Sequence, residues 1–282
     1  MTSEQWSAAV RLLWGPPAKP ARGPKRGLTL EGIALAGVGI ADAEGLGGVS
    51  MQRVAAELAV TKMALYRYVP GKAELVALMV EAALPDPAGL DARLAAAASA
   101  GGGWREQLGV WARGLYEGFR AHPWLLEATV GARVMGPREL GWMERALAAL
   151  DGCGLSGAEA MDSVVLVAGH VRGIAEQERA MAGGGGGAGG EGPDAQLVVM
   201  LGEVLRARGD DYPALAAALG SVAEQGGQEQ ALLYGLERIL DGLGLLVERR
   251  GGGVVGVGGW CGGGGRRGGG ARARAPAPPP PP

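Results

Sequence analysis

Between Thr29 and Pro85 caps, turns and breaks divide the sequence into four successive helices, and this punctuation constrains the fold more than any other feature. Thr29 is placed as an N-cap before "LEGIALAGVGIADAEG", where Ile33, Gly37 and Ile40 share a face and Gly45 is the stop. Ser50 caps a short second helix, "MQRVAAEL". Its Met51, Val54, Ala55 and Leu58 recur at i, i+3, i+4 and i+7, which makes one apolar stripe. A turn at 59–61 leads into a third helix from Lys62 to about Val69, ended by Pro70-Gly71. A fourth, "KAELVALMVEAAL", runs to the Pro85-Asp86-Pro87 break.

Beyond that break the helical periodicity continues with longer elements. The pattern predicts helices at about 88–99, 103–121, 123–134, 138–151, 157–181, 194–208 and 228–249, with a shorter one near 213–223. Pro123, Pro137, Pro193 and Pro213 each stand near a helix start, where a missing N–H costs nothing. Apolar residues make up 48% of the chain but aromatics only 5%, so alanine and aliphatic side chains must fill the core. Val and Ile rarely alternate with polar residues, and an all-α fold follows. The run "GGGGGAGGEG" at 183–192 has neither a preceding strand nor a following Lys-Ser/Thr, so it is expected as a loop rather than a phosphate cradle. No internal repeat is present. The expected units are a flexible basic arm at 1–28, a helix-turn-helix domain at 29–75, a helical domain at 76–250, and a disordered Gly/Arg/Pro tail at 251–282.

The net charge of −2 conceals an asymmetry. Residues 1–72 hold nine Lys/Arg against five Asp/Glu, a net +4, whereas residues 73–250 hold fourteen against twenty-four, a net −10. The positive end suits a polyanion. From Arg11 to Arg26 there are five basic residues, four prolines and no carboxylate, a stretch expected to be mobile; it reads either as a solvated linker or as an arm for an adjacent minor groove. Cys153 and Cys261 belong to no CxxC or Cys/His cluster, so neither a disulfide framework nor a metal site is expected, and no cofactor. There is no signal-type apolar region at the N-terminus and no uninterrupted apolar run long enough for a span, so a soluble cytoplasmic protein without membrane contact is expected. An enzyme would need a nucleophile with its base, paired carboxylates or metal ligands. The chain offers two histidines, no metal spacing and no phosphate loop, and Glu176 and Glu178 near Arg179 read as a solvated helix face.

Two short helices joined by a tight turn, with a scaffold helix before them, form a helix-turn-helix whose second helix can enter the DNA major groove. That helix lies in "VTKMALYRYVPGKAEL", which collects two of the five tyrosines, two lysines and an arginine. Thr61, Lys62, Ala64, Arg67 and Tyr68 are placed outward, while Met63, Leu65 and Val69 have side chains suited to the core. A guanidinium can pair with a guanine edge, and a tyrosine hydroxyl or a lysine can reach phosphate. The competing reading makes the tyrosines a half-buried ring pair, and Lys62 and Arg67 an ordinary solvated face.

The segment "GVSMQRVAAELAVTKMALYRYVPGKAELVALMVEAAL" resembles the DNA-binding region of TetR-type transcriptional regulators over residues 29–84. The ordered run Ala55, Leu58, Val60, Leu65, Tyr66, Tyr68, Val69, Lys72 and Leu75 carries the likeness. Tyr68 stands where many members have histidine, and Ala59 where many have glycine. The resemblance implies that Ser50 and Gln52 touch backbone or a base edge, that Thr61, Lys62, Met63, Ala64 and Arg67 face the groove, and that Tyr66, Tyr68 and Lys72 grip phosphates.

The stretch from "HPWLLEATVGARVMGPREL" to "VVLVAGHVRG" is similar, more loosely, to the tetracycline-repressor type of C-terminal domain. That implies an effector pocket in the middle helices and a homodimer through helices at about 157–181 and 228–249. Read residue by residue, Trp111, Tyr116, Phe119, Trp124, Trp142 and Met143 gather rings and bulk that suit an apolar cavity or an ordinary core. His170 is either a polar handle in that cavity or a satisfied core residue, and His122 a helix-start residue. The expected function is a ligand-responsive repressor, a homodimer on a palindromic double-stranded DNA operator that responds to an unknown small molecule. An architectural DNA binder without an effector is the alternative.

Overall fold

The computed structural model describes residues 3–15, 28–183, 193–218 and 228–251, and among them every regular element is helical. The head comprises α1 (Ser3–Trp14), α2 (Leu30–Gly48), α3 (Met51–Glu57), α4 (Lys62–Tyr66) and α5 (Lys72–Ala83). The body comprises α6 (Pro87–Ser99), α7 (Trp104–Ala121), α8 (Leu125–Ala128), α9 (Pro137–Ala149), α10 (Gly157–Gly183), α11 (Pro193–Arg208), a 3-10 turn (Gly209–Asp211), α12 (residues 213–218) and α13 (Gln228–Gly251).

Local chemistry sets most of these boundaries. The Thr29 hydroxyl accepts from Gly32 N at 3.0 Å to start α2, and Gly45, at φ 73°, breaks its regular path. Ser50 Oγ accepts from Arg53 N at 3.1 Å and Thr61 Oγ1 from Ala64 N at 3.2 Å, so α3 and α4 each begin on a side-chain cap. Leu84-Pro85 ends α5, and Asp86 with Pro87 opens α6. At α10 the cap is reciprocal: Glu159 N donates to Ser156 Oγ, and Ser156 N donates to Glu159 Oε2 at 2.8 Å.

In the head, α2 lies along α5 with Gly37 against Met79, where a Cβ would come within 2.7 Å of the sulfur. Ile33, Val54, Leu65, Val69, Leu75 and Met79 are fully enclosed. One continuous core passes from here into the body, where α7 turns Leu108, Trp111, Ala112, Tyr116 and Phe119 inward toward α9 and α10. Helices α10 and α13 pack side by side, and among the described residues no helix is long and apolar enough to cross a membrane.

Four expectations need correction. Residues 3–14, assigned to the flexible arm, form a helix that buries Ala9, sets Leu12 and Leu13 against the core and packs on α5. Those three residues fall at i, i+3 and i+4, a stripe that was legible but overshadowed by the prolines after it. The expected helix at 123–134 shrinks to the four residues of α8: Gly131 takes φ 81° and no helix resumes until Pro137. The third helix closes at Tyr66, although Tyr68 N and Val69 N still donate to Leu65 O and carry a turn to Val69. Glu178 is no idle surface residue: it accepts from the Tyr116 hydroxyl at 2.6 Å and pairs with Arg120. The glycine run at 184–192, the basic segment at 16–27 and the tail at 252–282 lie outside the described residues.

Candidate DNA-binding face and ligand cavity

The packing of α3 on α2 and of α4 on α3 determines which side chains are free. Leu65 and Val69 are sealed in the core, so the opposite face of α4 is presented outward. Ser50, Gln52, Thr61, Lys62, Arg67 and Lys72 are all exposed, with Tyr66 and Tyr68 at about two-fifths exposure and Ala64 half-buried. Met63, assigned to the core from its residue type, is 74% exposed and stands on the same face. Its exposure corrects the reading from side-chain type alone. The Lys62 ammonium lies 5.7 Å from the centre of the Tyr66 ring, which holds charge and ring together at the start of the helix.

Charge on this face is unevenly available. Arg53 is held by Glu44 and Glu57, each at 3.0 Å, so its charge is met within the head. Lys62, Arg67 and Lys72 form no ion pair among the described residues. Three unneutralised cations and two exposed tyrosines make a surface suited to a polyanion. Ala59, in the turn between α3 and α4, takes φ 53°, the left-handed conformation that glycine adopts without strain.

In the body, α7, α8, α9 and α10 line a cavity of about 350 Å³ that is open to solvent on one side. Of the seven residues expected to form a pocket, Trp111, Phe119, Trp142 and Met143 line it. The other three sit elsewhere for identifiable reasons. The Tyr116 hydroxyl is spent on Glu178. Trp124 Nε1 donates to Asp42 Oδ1 at 2.8 Å, and His122 Nδ1 lies 2.8 Å from the same oxygen, so the His-Pro-Trp turn clasps α2 of the head. His170 Nε2 lies 3.0 Å from Leu232 O of α13; its ring fills the space over Gly235, where any Cβ would collide with it.

Sequence reasoning missed the polar end of the cavity: Thr129, Arg133, Glu139 and Arg172. Arg133 and Glu139 form a two-bond pair with Nη1–Oε2 at 2.6 Å, both side chains being more than four-fifths buried. Arg133 Nε is buried without a partner, a donor whose desolvation costs about 1–3 kcal/mol until an acceptor meets it. Arg172 donates to Leu126 O and Thr129 Oγ1, each at 2.9 Å, and lies over the Phe119 ring at 5.5 Å. The signals were slight: one arginine inside "VGARVMG" and another ending "VVLVAGHVRG".

The cavity wall is tied to the head. Trp142 Nε1 donates to Pro85 O at 3.0 Å, where α5 gives way to α6. Glu81 of α5 accepts from Arg138 N at 2.9 Å and Glu139 N at 3.2 Å, and so caps α9 in place of a local side chain. Burial of Glu81 pushes its carboxyl above the usual range, against the lowering effect of those two backbone donors. Trp14 at the end of α1 donates to Met135 O, and Met135 also lines the cavity.

A helix-turn-helix with an unneutralised cationic face, carried on a helical body, defines the class: a DNA-binding regulator. Comparison with known proteins gives the family. The sequence model described as bacterial regulatory proteins, tetR family, matches residues 35–79, and that of the tetracyclin repressor-like C-terminal domain matches residues 97–247. The chain is 39% identical over 256 residues to the HTH-type transcriptional repressor DrrR1 of Streptomyces coeruleorubidus, covering 86% of this chain and 87% of that protein. It is 29% identical over 230 residues to an HTH-type transcriptional regulator of Saccharopolyspora erythraea, covering 82% and 88%. Among solved structures, ActR of Streptomyces coelicolor in complex with actinorhodin superposes with a TM-score of 0.62 at 26% identity, over 78% of this chain and 99% of that one. The protein belongs to the TetR family and is a DNA-binding transcriptional regulator.

Proposed function

We propose that the protein is a repressor that binds a palindromic operator as a homodimer and leaves it when a small molecule fills the body cavity. The observation that carries this reading is Trp142: one side chain forms the cavity wall and also bonds Pro85 O, at the exit of the head's last helix. With Glu81 holding the N-terminus of α9, a ligand that shifts the wall shifts α5, and α5 packs along the scaffold helix α2. The effector must bind the released arrangement more tightly than the DNA-bound one; about 1–3 kcal/mol is the usual scale of such coupling. The repressor name of DrrR1 and the actinorhodin complex of ActR support the same reading.

The dimer is supported by exposed apolar residues on the paired helices α10 and α13: Met161, Val165 and Leu166 on one, Leu233, Tyr234 and Leu245 on the other. A second copy would cover them, and two heads would then meet two half-sites. The DNA-facing residues are those of the α3–α4 unit and the start of α5: Ser50, Gln52, Thr61, Lys62, Met63, Ala64 and Arg67 toward the groove, Tyr66, Tyr68 and Lys72 toward phosphates.

Operator fragments selected from genomic DNA provide the test. Arg67→Ala and Tyr66→Ala should each lose specific retention while their thermal unfolding stays that of the wild type. Log affinity of the wild type should fall steeply with log salt. Wild-type retention by both variants would sink the DNA-facing assignment. An operator affinity indifferent to every small molecule that enters the cavity would favour the architectural alternative.

A further inference from the structure

We infer that the ligand of the body cavity is an aromatic anion whose negative charge is seated on Arg172. The inference rests on the ligand-responsive reading above and gives that ligand a chemical class.

The charges at the polar end of the cavity are unequal. Two cations, Arg133 and Arg172, face one carboxylate, Glu139, a net of +1 among the ionisable lining residues. Glu139 is already engaged: Arg133 grips both of its oxygens in a mostly buried pair. A cationic ligand would have to break that pair, and would leave a guanidinium buried without a counter-ion. Arg172 is differently placed. Among the described residues its two terminal nitrogens donate to neutral acceptors, Leu126 O and Thr129 Oγ1. The Thr129 hydroxyl proton is committed to Leu125 O at 2.6 Å, which leaves its oxygen to accept from Arg172. Among the described residues the one carboxylate paired with Arg172 is Glu176, 3.7 Å away, half exposed and screened by water. Arg172 is therefore a cation held in position by neutral groups at the edge of an apolar space, with no close counter-ion inside the cavity.

The walls supply the second half of the ligand's chemistry. Trp111, Phe119 and Trp142 present ring surfaces, and Met135 and Met143 add polarizable thioethers. Flat rings stack well on such walls, and methionines adapt to their edges.

A matched pair of fluorescent probes tests this on the full-length protein: 8-anilino-1-naphthalenesulfonate, and N-phenyl-1-naphthylamine, which has the same rings without the sulfonate. The sulfonate should bind at least about tenfold more tightly, the scale of one charge-assisted contact. Arg172→Met should abolish that ratio while leaving the affinity of the neutral probe in place, and Arg172→Lys should retain most of the ratio. Gly169→Leu locates the probes: Gly169 lines the cavity, a Cβ there meets nothing within 4 Å, and the added side chain should exclude both. Equal affinities in the wild type, or a ratio that survives Arg172→Met, would overturn the inference. Undiminished binding of both probes to Gly169→Leu would instead overturn the cavity reading beneath it.

Discussion

The head and the body of this regulator spend their sequence in opposite ways. In the head, core positions such as Leu65, Val69, Leu75 and Met79 are fully enclosed, and the residues that could meet another molecule point outward. In the body, α7 to α10 are held around a space of about 350 Å³, and the corresponding residues point inward. A rigid surface can present fixed cations to a regular duplex. A container must leave room, and what it leaves out is packing. The joint between them is polar: Glu81 on the α9 backbone, Trp142 on Pro85 O, Trp124 and His122 on Asp42.

The largest expected effect tests that contrast directly. Leu65→Ala removes a fully enclosed side chain from a head with little room to collapse, and should cost about 2–5 kcal/mol. Met143→Ala removes a partly exposed side chain that already borders the cavity, and should cost less than half as much. Urea unfolding of both variants measures the difference. Equal losses would mean that the body is packed as tightly as the head and that the space is not a designed vacancy.

A smaller effect, of opposite sign, belongs to the turn of the head. Ala59 holds φ 53°, a conformation that costs an L-residue roughly 1–2 kcal/mol, while glycine brings its own entropic cost of about 0.5–1 kcal/mol. Ala59→Gly should therefore stabilise the protein by up to about 1 kcal/mol, read as a rise in the urea midpoint without a change in slope. A fall in the midpoint would show that the alanine is unstrained and that the head tolerates this turn for another reason.

The same contrast explains what could be read from the sequence. The caps at Thr29 and Ser50 and the break at Gly45, which the structure shows as a kink within α2, act within a few residues of themselves, and much of the head followed from them. Even there, Met63 needed the family pattern, because residue type alone pointed it inward. In the body, decisive partners are distant in sequence. Trp124 meets Asp42 across 82 positions, Tyr116 meets Glu178 across 62, and His170 meets Leu232 across 62. Nothing local distinguishes those three from the rings that line the cavity. The polar end was invisible for the same reason, since Arg133, Glu139 and Arg172 converge only after α8 has ended at Ala128 and the chain has turned at Gly131. Helix α1 was legible in its stripe but not in its anchor, the Trp14 bond to Met135 O across 121 positions.

The smallest effects concern two carboxylates that respond to pH in opposite senses, one at the head–body joint and one within the body. Glu159 caps α10. The Ser156 backbone N–H, and after it the Arg250 guanidinium of α13, lower its pKa from 4.5 to about 2. A depressed carboxyl stabilises the fold above its unfolded value, and that contribution fades as pH falls from about 4.5 toward about 2. Glu81 is shifted the other way, chiefly by burial between α5 and α9. A raised carboxyl contributes most below its unfolded value of 4.5, and loses that contribution as pH rises through the folded value. Glu159→Gln and Glu81→Gln, each compared with the wild type by urea unfolding from about pH 3 to about pH 7, should give stability differences that slope in opposite directions. Glutamine changes the hydrogen bonding by an offset nearly constant with pH, so the slope is the informative quantity. Parallel slopes would mean that the ionised Glu81 is solvated rather than buried, and the joint would then be a wet contact unable to carry a displacement of α9 into α5.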